Sequence, residues 1–159
     1  MIGILIIFTN LCRPTYYGGI YLLWSMGTKL HPHQPKIHAD INCKLSGNPS
    51  PMTLFAFRTH AHKHGTVITG YKVDKNGKIQ EIARGDPQKP QMFYPMQKFV
   101  VVDNGDVLHA RCTFNTTEED RIVNIGTFIF IPHGLLTIHY ISILFVAYFL
   151  TTKIAFDFN

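Results

Sequence analysis

The strongest constraint on this chain is its rhythm. From Gly19 to Phe114, short apolar or alternating stretches are separated by turn residues roughly every 8–12 positions, and none keeps a capped helical period. KIHADINCK alternates, with Ile37, Ala39, Ile41 and Cys43 on one side and His38, Asp40 and Asn42 on the other. LFAFRTHAH and TVITGYKV follow. DKNG then places an Asn-Gly dipeptide before IQEIAR, a hairpin signal in which both central positions are expected at positive φ. DPQKPQ reads as a loop, because prolines interrupt a ladder. FVVV, the turn DNGD and VLHARCTF make a second hairpin. Strands at this spacing predict an all-β, antiparallel sandwich.

Charge divides the chain further. It carries 15 Lys+Arg and 10 Asp+Glu, a net +5, with no long run of one sign. A nucleic-acid stripe is therefore not expected. Nearly all the charge lies within 13–121; no Asp, Glu, Lys or Arg stands between Arg121 and Lys153, nor within residues 1–12. Residues 1–12 read as an apolar leader without a basic start or clear cleavage site, or as a non-native start. The apolar tail, 127–159, allows two readings. Its 135–150 stretch approaches the ~18–20 apolar residues of a membrane span, or the tail is sequence outside the fold. Three cysteines, Cys12, Cys43 and Cys112, leave room for at most one internal disulfide and make no CxxC knuckle.

The stretch FAFRTHAHKHG carries the chemistry. On a strand, a period of two sets Arg58, His60 and His62 on one face and Phe57, Thr59 and Ala61 on the other. Imidazoles at i and i+2, rooted about 6.5–7 Å apart, can converge on one copper, zinc, iron or nickel ion. The same spacing also fits two exposed strand histidines. Lys63 and Gly65 suggest that the strand ends there, turning His64 away. Arg58 suits a carboxylate through its planar fork. Asn115-Thr116-Thr117 is a glycosylation sequon. Trp24 is expected in the core, His31 and His33 in a solvated loop, and His109 as a satisfied strand side chain.

GGIYLLWS, HADINC, FAFRTHAHKHG, VITGYKV, DPQKPQMFYP and GDVLHARCTFNTTEEDR, in this order, resemble the C-terminal lobe of the copper type II, ascorbate-dependent monooxygenases over 13–126. Arg58 and PQKPQMFYP favour its peptidylglycine-hydroxylating branch over the dopamine branch. The resemblance implies a jelly-roll-like sandwich, copper on His60 and His62, and Arg58 on the carboxylate of a glycine-extended peptide. It also implies dioxygen as co-substrate, ascorbate as reductant, Cys43 and Cys112 as half-cystines, and work in the secretory pathway. The departures carry weight too. No methionine follows Met96, so the family's methionine ligand is unmatched, and the expected sandwich is incomplete. The family's second, electron-delivering copper lobe has no counterpart here. The chain is thus expected to be a fragment of such an enzyme, inactive by itself. The alternative is a non-catalytic β-sandwich tethered to a membrane by its apolar tail.

Overall fold

The computed structural model describes residues 18–25, 27–47, 51–125, 127–130, 136–139 and 142–150. These form twelve strands and, among the described residues, no helix. They are β1 (Gly18–Ser25), β2 (Lys29–Leu30), β3 (Ile37–Lys44), β4 (Met52–Ala61), β5 (Gly65–Val73) and β6 (Ile79–Gly85), followed by β7 (Tyr94–Val102), β8 (Val107–Phe114), β9 (Val123–Asn124), β10 (Thr127–Phe130), β11 (Leu136–His139) and β12 (Ser142–Leu150).

Two four-stranded antiparallel sheets, ordered β1-β12-β4-β7 and β3-β8-β5-β6, form the sandwich. The chain crosses between the sheets at β3–β4, β4–β5, β6–β7 and β7–β8, which is jelly-roll connectivity. Alternation along each strand sends one side chain in two to the core. Leu23, Leu54, Leu144 and Val146 come from one sheet, and Ala39, Ile68, Leu108, Ala110 and Cys112 from the other. Gly70 marks a close approach of the sheets, since a Cβ there would lie 2.5 Å from Leu144 Cδ2.

Four sequence expectations need correction, the first being the DNGD hairpin: β7 and β8 lie in opposite sheets and do not pair with each other. The tail, 127–159, which reads either as a membrane span or as sequence outside the fold, contributes β12, and that strand runs between β1 and β4, paired along both edges. A strand with two neighbours reads as a continuous apolar run when both its faces are largely covered, so alternation does not announce it. Among the described residues no helix is long and apolar enough to cross a membrane. Trp24 is 47% exposed, because β1 turns Leu23 and Ser25 inward and the opposite parity outward. In the DKNG turn only Gly77 has positive φ (81°). Asp74 Oδ1 accepts from the Asn76 and Lys78 amides, and the carboxylate stabilises this longer turn. The 1–12 leader lies outside the described residues.

Candidate metal and anion site

β4 builds the site. Its inward parity is Phe57, Thr59 and Ala61, with Thr59 and Ala61 buried. That anchoring leaves Arg58 and His60 half-buried on the outward face. The strand ends at Ala61, so His62 lies just beyond it, yet its ring meets that of His60 edge to face at 80°, centroids 5.3 Å apart. The Gly65 amide then donates to the His62 carbonyl at 2.9 Å and closes the turn. A side chain at Gly65 would put its Cβ 2.4 Å from that of Ala61, so this tight return requires glycine.

His64 leaves the pair, as expected. It is buried, with Nε2 3.4 Å from Glu119 Oε1. Lys63 donates to the same carboxylate and is the main cause of the Glu119 carboxyl lying below its ordinary range.

The outward neighbours come from β12. Phe145 pairs with Arg58 and Ile143 with His60, and the guanidinium lies 5.2 Å from the Phe145 ring centroid. Beyond them, β1 sets Leu22 against Phe145 and Trp24 against Ile143. Arg58 has a neutral partner on its other side: Nε and Nη2 donate to Gln91 Oε1 at 3.3 and 3.1 Å. Among the described residues no carboxylate pairs with it. Arg111 differs, gripping Asp40 through two nitrogens and holding that carboxyl below its usual range.

Two imidazoles at this separation fit one soft or borderline ion as half of a site, and nitrogen donors suit copper. Among the described residues no third His, Cys, Asp or Glu joins them. Met96 is in the core.

Cys43 and Cys112 occupy adjacent strands and, in this structure, form no disulfide. Cys43 aligns with Leu108 and Cys112 with Ala39. An offset of four positions puts them roughly 13 Å apart, beyond the ~7 Å Cα reach of a disulfide. Burial, together with the Cys43 thiol 2.7 Å from its hydroxyl, raises the Tyr21 pKa to about 12. Cys12 lies outside the described residues. Asn115 stands exposed after β8, its Oδ1 accepting from the Thr117 amide and hydroxyl. His33 is exposed, and His109 bonds Asn42 Oδ1 at 2.6 Å; both agree with the sequence reading. Gln88 and Gln91, by contrast, read in the sequence only as loop residues. Their one signal was their presence in the PQKPQ segment.

Comparisons with known proteins identify the family. The family model for the copper type II ascorbate-dependent monooxygenase C-terminal domain matches residues 16–130. A peptidylglycine alpha-amidating monooxygenase of Rattus norvegicus is 38% identical over 124 residues, which cover 78% of this chain and 12% of that protein. The Mus musculus enzyme is 40% identical over 108 residues, 68% of this chain and 11% of its own length. Enzyme A of Xenopus laevis gives the same identity and coverage. The chain thus spans about one-eighth or less of these relatives. With the family model covering most of its length, the chain belongs to the copper type II, ascorbate-dependent monooxygenase family, through that family's C-terminal domain.

Proposed function

We propose that this chain is the peptide-binding, copper-binding lobe of a peptidylglycine monooxygenase. His60 and His62 hold the copper, and Arg58 holds the C-terminal carboxylate of a glycine-extended peptide. In the complete reaction one oxygen atom of dioxygen enters the glycine α-C–H bond. The other leaves as water, with two electrons from ascorbate. Bound copper supplies the dioxygen chemistry. The residues of this chain orient the peptide, with Arg58 fixing its terminus beside the imidazoles. Leu22, Trp24, Ile143 and Phe145 offer an apolar border to the peptide's side chains. Work in the secretory pathway, with a glycan on Asn115, fits both the peptide substrate and the exposed sequon.

The observation that carries this reading is Arg58, a cation with only neutral partners among the described residues, sharing an amide acceptor with His60. A second reading, a module that binds such peptides without hydroxylating them, is favoured by β12. That strand sets Ile143 and Phe145 beside Arg58 and His60, and neither can coordinate a metal.

Titration calorimetry with a glycine-extended peptide and its C-terminal amide tests the proposal. The acid is expected to bind better than the amide. Arg58→Ala should weaken acid binding by about 10- to 100-fold, the effect of a lost charge-assisted pair. Equal affinities for acid and amide, or no effect of Arg58→Ala, would overturn it.

A further inference from the structure

The 86–93 loop makes direct contacts with every part of the site. Its Asp86 carbonyl accepts from Thr59 Oγ1 at 3.4 Å, fastening the loop to β4. Asp86 Oδ1 caps the Gln88 amide at 2.8 Å. Gln88 Nε2 faces three carbonyls, those of Ala61, His62 and Gly65, at 3.3, 3.0 and 3.1 Å. One side-chain amide therefore holds the turn that carries His62. Three residues on, Gln91 Nε2 donates to the Pro87 carbonyl at 3.1 Å. Its Oε1 receives Arg58 Nε and Nη2 and lies 3.1 Å from His60 Nδ1.

The chemistry of these partners determines the tautomer. A carbonyl only accepts and a guanidinium only donates, so the Gln91 amide can face just one way. Its oxygen meets His60 Nδ1, which must then carry the proton. The lone pair of the neutral ring falls on Nε2.

We infer that Gln88 and Gln91 are positioning residues: Gln91 holds His60 as an Nε2 donor and aligns Arg58 with it, while Gln88 sets the turn that presents His62. The inference rests on His60 and His62 being the metal donors. It adds the source of their orientation. Partners of this kind on ligand histidines typically change metal affinity about 10- to 100-fold.

The test uses the full chain in two measurements. Nitrogen-15 NMR of the metal-free protein reads the His60 tautomer, and competition with a Cu(I) chelator reads affinity. Wild type should show Nδ1–H. Gln91→Leu should lose that tautomer and bind Cu(I) about 10- to 100-fold more weakly. Gln91→Glu keeps an acceptor oxygen, so it should retain the tautomer while its carboxylate occupies Arg58 and abolishes the preference for peptide acid. Gln88→Ala should weaken Cu(I) binding with the His60 tautomer unchanged. An unchanged tautomer in Gln91→Leu, with Gln91→Glu folded and equally unchanged in peptide preference, would overturn the inference. Loss of the tautomer in Gln91→Leu, with no Cu(I) bound even by wild type, would support the positioning role and overturn the copper reading instead.

Discussion

Arg58 shows how one residue's surroundings fix its use. Its guanidinium lies against an aromatic ring and a glutamine oxygen, with no carboxylate partner among the described residues. The planar fork matters as much as the charge. Arg58→Lys keeps the cation but loses the fork, and calorimetry should show it recovering only part of the peptide affinity lost in Arg58→Ala. Full recovery would mean that charge alone accounts for binding. That Arg58 and His60 share the outward face of β4 was legible in the sequence, because a strand's period of two needs no tertiary knowledge; His62, just beyond the strand, owes its place to the turn. Gln88 and Gln91 were not legible. Glutamines in a proline-bounded loop become informative only when the fold lays that loop along the end of β4.

Among the elements, β12 decides whether the sandwich closes. It fills the gap between β1 and β4, and Leu144, 1% exposed, enters the core against Gly70. Leu144→Ala should cost about 2–5 kcal/mol in denaturant unfolding, and Gly70→Ala about 1–3 kcal/mol through overpacking. Because the two sites touch, the double variant should cost less than the sum, since the cavity left by one receives the methyl of the other. Strict additivity would show that β12 does not pack there. β3, the DKNG hairpin of β5 and β6, and the β4–β5 return could be read from alternation and turn chemistry, whereas the DNGD turn, which reads as a second hairpin, joins strands of opposite sheets. β12 could not, because its apolar run satisfies a strand, a membrane span or an unrelated tail equally well by composition. β2, β9, β10 and β11 are too short to leave a periodic signal.

For the whole molecule, one ion pair ties the sheets together. Lys72 of β5 lies 3.0 Å from Asp106 Oδ2 and donates to the Val101 carbonyl of β7 at 2.7 Å. Burial acts to raise the Asp106 pKa, but the Asp103 amide and the Lys72 ammonium outweigh it, and the net value falls below 3.8. Asp40, held by Arg111, is lowered as well. A depressed carboxyl stabilises the fold fully above its unfolded pKa, and that contribution is lost as pH falls through the folded value. Melting temperature should therefore stay level from pH 7 to about 5 and drop below about pH 4. Asp106→Asn should lower stability at pH 7 by about 3 kcal/mol, stranding the largely buried Lys72, and should flatten the acid limb. An acid limb identical to that of wild type would contradict this assignment.

Metal binding by this chain depends, in the proposed function, on the half-site on the open face of β4. The direct measurement is a Cu(I) titration of the folded full chain beside His60→Ala and His62→Ala. One ion per wild-type chain is expected, with a loss of about 10-fold or more in affinity in each variant. Three proteins binding Cu(I) equally, or none binding it, would contradict the claim that these two histidines form a metal site.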